Sequence, residues 1–317
     1  MRKAIVLAAL ALLVTACGSA PTTTAEGLTV LRVGVSAAAG TSTPIYLAIA
    51  RNVFRKLGLD VQLVPSTEGT VVVPQLMNGQ LQFSMASFGP FVSAVQQNLP
   101  IRMVAAINRS HADNSQYSAI IVPADSKATD LSQVKVFASQ EAQRDPLDQL
   151  AFAKMNGDYA GARIVAVPLG SVGDTVASHS ADAGRLFQPF LRQALDKGGV
   201  KVLRYLNPPY TLANIPTTVL EANTGYLNQN PDIARRFTEG VHEALTYARD
   251  HLTEVAAYAP KTGLTTKPID MAAMPDYEPT GIDRAKIDEL LGLYESEGYL
   301  NRKLASADVT WAPPAGS

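Results

Sequence analysis

Short β-rich runs alternate with helical stripes along this chain, and that alternation constrains its fold more than any other property of the sequence. Residues 28–35, LTVLRVGV, are rich in branched side chains and are bounded by Gly27 and the small-residue stretch SAAAGTST, which predicts a strand followed by a loop. Apolar residues then recur at 45, 48, 49, 53 and 57, with Pro44 near the first turn and Gly58 past the end. This spacing predicts a helix over 44–57. Further strands are expected at 61–64, 81–86 and 101–106, separated by helices at 70–78 and 91–97. Pro74 must lie early in its helix or bend it. A succession of βαβ units implies a mostly parallel sheet covered by helices.

The rhythm breaks twice. Near Asn108 the polar stretch NRSHADNSQ precedes a new strand at 118–122. Strands at 135–138, 163–167, 183–187 and 201–205 follow, with a helix at 146–155 that Gly157 stops. Asn207-Pro208-Pro209-Tyr210 is the second break, after which 217–220 reads as another strand. Helical patterns dominate from Pro231 to about Gly298, before a Pro-rich tail. Two breaks around one middle unit suggest a chain that leaves a first lobe (28–112 and 214–317), builds a second (113–213) and returns. About 300 residues is too long for one ordinary core and suits two.

The N-terminus sets the compartment. Arg2 and Lys3 precede eleven residues, 4–14, without a polar side chain, the pattern of a secretory signal. Eleven residues of helix cover roughly 16 Å, far short of a bilayer core of about 30 Å. The run closes on Val14-Thr15-Ala16-Cys17, which resembles the bacterial lipobox, where cleavage precedes a cysteine that carries lipid. The expectation is a signal peptide over 1–16, and a flexible tether over 17–27 lipidated at Cys17. The rest would be an extracytoplasmic body held to a membrane, on the periplasmic side or the outer face according to the envelope. Cys17 is the only cysteine, so no internal disulfide can form, and a lipidated Cys17 is no catalytic thiol. The formal net charge of −1 loses two positive charges with Arg2 and Lys3, leaving −3, so nucleic acid is not an expected partner.

The segments PIYLAIARNVFRKLGLDVQLV and EGTVVVPQLMNGQLQFSMASFGPFVSAVQQNLPIRMVAA bring several motifs together. They are Gly58-Leu59-Asp60-Val61 after the first helix, the turn Asn78-Gly79, and a Pro-x-x-x-Val-Ala pattern ending at Ala105. Farther on, Ala181-Asp182-Ala183-Gly184 is followed by Gln188-Pro189-Phe190. In order and spacing these resemble the solute-binding proteins of ABC importers that take nitrate, aliphatic sulfonates, taurine or thiamine precursors. The resemblance implies a periplasmic-binding-protein type II fold: two α/β lobes, each a mixed, mostly parallel sheet flanked by helices, joined by two crossover segments, with a ligand in the cleft between them, and a permease and an ATPase as partners. It implies a monomer with no cofactor and no catalysis.

Candidate cleft residues follow from strand ends, where open sheets place their ligands. After the first strand come Ser36, Thr41, Ser42 and Thr43, with Tyr46 in the following helix; capping explains the hydroxyls equally well. Glu68, Gly69 and Thr70 follow the second strand, where Glu68 also suits a helix N-terminus electrostatically. Ser87 and Phe88 follow the third, Phe88 serving as a cleft wall or as core. Asn108 and Arg109 stand at the first crossover and Asn214 at the second, and Arg109 could clamp an anion in bidentate fashion. In the second lobe Ser139, Gln140 and Arg144 lie between a strand and a helix, although Arg144 could pair locally with Glu141 or Asp145. Gln188 and Gln82 stand where the family often has acidic residues, which weakens the expectation of a cationic ligand.

Enzyme readings find less support. His111, His179, His242 and His251 are scattered without metal-ligand spacing, and neither a G-x-S-x-G elbow nor a Walker A loop is present. The yeast-type pyrimidine synthase resembles this chain in fold but relies on a cysteine-rich segment that is missing here. Hydroxyls and arginines favour a small organic anion such as a sulfonate. Phe88 and Tyr46 leave open an aromatic heterocycle, for instance a vitamin precursor. A sensor or structural lipoprotein on the same clamp is a third class.

Overall fold

The computed structural model describes residues 22–66, 69–113, 115–140 and 143–312, with the backbone alone at 66 and 69–71. The predicted signal, Cys17 and Glu68 lie outside the described residues. The chain runs through β1 (Thr29–Ser36), α1 (Ala39–Ala50), α2 (Val53–Lys56), β2 (Leu59–Ser66), α3 (Gly69–Met77), β3 (Phe83–Ser87), α4 (Phe88–Gln96) and β4 (Ile101–Arg109). A second unit contains β5 (Ser118–Pro123), β6 (Val136–Ser139), α5 (Pro146–Lys154), β7 (Arg163–Ala166), α6 (Val172–Ala177), β8 (Ala183–Phe187), α7 (Phe190–Lys197) and β9 (Val200–Tyr205). The chain returns through β10 (Pro216–Asn223), α8 (Thr224–Gln229), α9 (Pro231–Asp250), α10 (Leu252–Tyr258), β11 (Asp276–Tyr277), α11 (Arg284–Ser296) and α12 (Ser306–Val309).

Two sheets result, ordered β11-β4-β10-β3-β1-β2 and β7-β6-β8-β5-β9. Both are mixed and flanked by helices, as the resemblance implies. The parallel pairs are β1 with β2 and β3, and β6 with β7 and β8. The antiparallel strands are those beside the crossovers. β4 ends at the first crossover and β10 begins at the second, so Pro216 lies opposite Arg109 and the two strands must run oppositely. β5 and β9 are antiparallel in the second sheet for the same reason. The crossovers are themselves laced together. Ser110 N–H donates to Ile215 O (2.8 Å), Asn214 N–H to Ser110 O (3.1 Å), and the Asn207 side chain bridges both backbone groups of Ser115.

The first helix starts five residues before the sequence reading, so Thr41, Ser42 and Thr43 sit within it and Pro44 is interior. An interior proline has no N–H to give the carbonyl four residues back, here that of Gly40. Tyr277 Oη donates to that carbonyl instead, at 2.6 Å, which is how the helix tolerates Pro44. Asn52, left-handed at φ 61°, ends this run and starts α2. Residues 263–283, expected to be helical, are mostly irregular. Pro268, Pro275 and Pro279 break the helical pattern, and the segment instead lays β11 against β4, Asp276 opposite Arg109.

The two faces of the first sheet carry separate cores. On one, α9 buries Ile233, Phe237, Val241, Ala244 and Leu245 at helical spacing, and Phe237 stacks 4.3 Å from Phe83. Gly240 lets α9 approach closely, since a Cβ there would stand 2.7 Å from the Phe54 ring. On the other, Phe88, Phe91 and Tyr294 pack with Leu290 and Leu291. Burying each such side chain contributes about 2–3 kcal/mol. Among the described residues no helix is long and apolar enough to cross a membrane.

Candidate functional site

The two sheets and their paired crossovers enclose a cavity of about 120 Å³, a volume close to one that admits benzene. The first lobe contributes Ser87, Phe88, Gly89 and Arg109, and the crossovers contribute Ser110, His111, Ser115 and Tyr117. The second lobe supplies Gln140, Asp145, Leu147, Arg185 and Phe187. Ser87 precedes α4 without capping it, so its hydroxyl and the unused N–H groups of the first turn are available to a solute. Opposite the crossovers the lobes touch again. Leu147 packs into the first lobe's core beside Tyr294, Ser93 Oγ lies 3.4 Å from Gln143 Oε1, and Gln149 donates to Glu297.

Charge in the cavity is paired on both walls. Arg109 Nε donates to Asp276 at 2.9 Å and its Nη1 to Glu278 at 3.4 Å. Arg185 Nη1 bonds Asp145 at 2.9 Å and Asp148 at 2.8 Å. Each guanidinium therefore faces two carboxylates. Asp148 is only 1% exposed, and burial raises its carboxyl to about 6 despite Arg185. Burial lowers the basicity of His111, and neighbouring Asp276 and Asp113 only partly offset this. Burial raises the Tyr117 phenol, and the nearby Thr41 hydroxyl only partly offsets this. No cluster of three metal-ligating side chains occurs among the described residues.

Of the sequence candidates, Ser87, Phe88, Arg109 and Gln140 line the cavity. Thr41 and Asn108 stand behind it, joined by a 2.9 Å bond from Asn108 Nδ2. Ser42 Oγ donates to Ser36 O, Ser36 Oγ accepts from Ala38 N–H, and Thr43 Oγ1 donates to Ala39 O. These hydroxyls are committed to the local backbone. Tyr46 packs against the first-lobe core, Gly69 opens α3, and Ser139 is buried at the end of β6. The Thr70 side chain lies outside what is described.

Arg144 is corrected outright, because its guanidinium donates to the carbonyls of Tyr159 and Ala162 and lies over the Tyr159 ring. It reaches neither the cavity nor Asp145. Arg109 is at the cavity but is not an open anion clamp. Gln188 is spent on Gln116 O and the Arg192 N–H, and Asn214, left-handed at φ 56°, borders a smaller void behind Arg109. Arg185, Asp145, His111, Tyr117 and Phe187 are the residues that sequence reasoning missed. Asp145 carried a signal, an Asp before Pro146 at a helix start, and it caps α5 through Leu147 N–H at 2.9 Å.

A model of the NMT1/THI5-like family matches residues 40–254. The chain belongs to the NMT1/THI5-like family. Solved structures place this member within the periplasmic-binding-protein fold. The aliphatic sulphonate binding protein SsuA of Escherichia coli superposes with a TM-score of 0.69 at 15% identity, covering 90% of this chain and 92% of that one. The nitrate-binding protein NrtA of Synechocystis PCC 6803 gives 0.71 at 15%, covering 89% and 85%. A Candida albicans gene product described as having the generic periplasmic binding protein fold gives 0.73 at 12%, covering 90% and 96%. No curated protein matches the sequence.

Proposed function

We propose that this NMT1/THI5-like protein is the extracytoplasmic solute-binding subunit of an ABC importer, and that its cleft takes an uncharged or weakly basic aromatic ring. The observation that carries the ligand class is the pairing of both cavity arginines. Arg109 with Asp276 and Glu278 sums to −1, and Arg185 with Asp145 and a partly protonated Asp148 lies between 0 and −1. A sulfonate or nitrate would have to displace carboxylates already on the guanidiniums or enter a site of its own sign, and either is costly in a partly desolvated cavity. Phe88, Tyr117, Phe187 and Tyr294 meanwhile offer apolar faces from both lobes, the kind of wall that a flat ring fills. The acidic charge missing at Gln82 and Gln188 is supplied by other residues, so the objection to a basic ligand lapses.

A thermal-shift screen of the purified protein tests this reading. A compound at 100 times its dissociation constant stabilises the native state by about 2.7 kcal/mol, a rise of about 5 °C or more for a chain of this size. Aminopyrimidines and nicotinamide are expected to raise the melting temperature, and nitrate and methanesulfonate to leave it unchanged. The reverse pattern would restore the anion.

The tether supports attachment through lipid on Cys17, which keeps captured solute near a permease. Cys17→Ala is expected to move the protein from the membrane to the soluble fraction and to abolish labelling by radioactive palmitate. Retention of the label would rule out this anchor.

A further inference from the structure

We propose that the end of the first lobe farthest from the cleft is a membrane-docking face, which rests on anionic lipid headgroups. This builds on the Cys17 anchor proposed above and adds the orientation in which that anchor holds the clamp.

Residues 22–27 read as tether by composition, yet they fold back on the first sheet. Thr24 N–H donates to Leu28 O at 2.9 Å, Val30 N–H donates to Thr22 O at 2.8 Å, and the Thr24 hydroxyl accepts from Leu28 N–H at 3.2 Å. Glu26, in the turn of this hairpin, pairs with Arg55. Thr22 is thereby fixed only five residues after Cys17, a span of at most about 18 Å. It lies beside Val30, the second residue of β1. β1 runs parallel to β3, and β3 and β4 end at the cavity in Ser87 and Arg109. Thr22 therefore sits at the opposite end of the sheet, and an acylated Cys17 keeps that end close to the bilayer with the cleft beyond it.

The side chains at this end carry positive charge. Arg55 and Lys56 close α2 just before β2, and Arg236, early in α9, donates to the intervening Leu57 O at 2.7 Å. Arg302 donates to Val95 O at 3.2 Å, near the end of α4, with Lys303 beside it. Glu26 is held by Arg55, and Asp232 by Arg235 and Arg236. That leaves Asp60 against Arg32, Lys56 and Lys303, all three exposed and outside every ion pair among the described residues. A surface of anionic lipid attracts such side chains over a Debye length, about 8 Å at physiological ionic strength. The short tether brings them into that range.

The test uses the acylated protein on vesicles of phosphatidylcholine and phosphatidylglycerol, with a nitroxide on some of the headgroups. With Cys17 acylated, an introduced cysteine is the only free thiol. A fluorophore at Gln229→Cys, exposed on α8 next to the start of β4, is expected to lose most of its emission. One at Lys154→Cys, exposed on α5 of the second lobe, is expected to keep it. Adding Arg32→Glu and Lys56→Glu, or leaving out phosphatidylglycerol, is expected to restore the Gln229→Cys emission. Equal quenching at the two positions, or quenching at Gln229→Cys that survives both changes, overturns the docking face while leaving the anchor in place. Failure of the unlabelled protein to float with the vesicles overturns the anchor, and the docking face with it.

Discussion

Replacing Arg185 by methionine is expected to destabilise the protein by about 3–5 kcal/mol at neutral pH, although methionine preserves much of the arginine's apolar stem. Arg185 Nη1 sits 2.9 Å from Asp145 and 2.8 Å from Asp148, and both carboxylates are largely closed to water. Removing the cation leaves two acidic groups facing each other in a medium that solvates them poorly. The loss should depend on pH. The Asp148 carboxyl stands at about 6 against an ordinary 3.8, so between those values the folded state holds a proton that the unfolded chain releases, and stability falls as pH rises. Without Arg185, which lowers that value, the window extends upward. Urea unfolding at several pH values should therefore show a gap between variant and wild type that is widest above pH 6 and narrows toward pH 4. A gap independent of pH would mean that Arg185 acts through packing alone.

Glu221→Met should act in the opposite direction. Glu221 lies on β10, in register with Ser84 of β3 and Met103 of β4 in the interior of the first sheet. It is 1% exposed, and neither carboxyl oxygen has a hydrogen-bond partner among the described residues. Burial alone raises its carboxyl from 4.5 to about 8. The stability tied to this group is thus complete below pH 4.5 and is lost progressively as pH rises to 8. At about 1.4 kcal/mol per pH unit, roughly 3 kcal/mol has gone by pH 7. A methionine of similar length never ionises and buries no unpaired oxygen. The variant is expected to gain up to about 3 kcal/mol at pH 7 and to flatten stability against pH between 5 and 8. A variant less stable than the wild type at pH 8 would show that Glu221 has a partner within the fold.

The fold was legible wherever one face of a strand or helix had to be buried. Ile45, Ala48 and Ile49 lie on one helix, but Val53 and Leu57 fall beyond left-handed Asn52, so the spacing ran two helices into one. The breaks near Asn108 and Asn207 fall where the chain passes between the two sheets. The start of α1 was not legible, because Ala39-Gly40-Thr41-Ser42 reads locally as a loop and is helical only through Tyr277, 237 residues on. β11 was hidden for a similar reason, since its two residues gain their conformation by pairing with β4. The binding cleft divides along the same line. Ser87, Phe88, Arg109 and Gln140 lie at strand ends, where sheet topology puts ligands and where sequence can look. Arg109 gave no local sign that β11 would bring Asp276 to it. Arg185 lies within β8 and meets Asp148 on α5, a pairing across 37 residues that only the folded second lobe creates.

The central claim, that the interlobe cleft of this NMT1/THI5-like protein holds a ring and not an anion, is tested most directly by a crystal structure of the protein grown with equal concentrations of 4-aminopyrimidine and methanesulfonate. The account predicts planar density in the cleft among Phe88, His111, Tyr117 and Phe187, with Arg109 still on Asp276 and Glu278 and Arg185 still on Asp145 and Asp148. Tetrahedral sulfonate density between Arg109 and Arg185, with their carboxylates turned away, would contradict it.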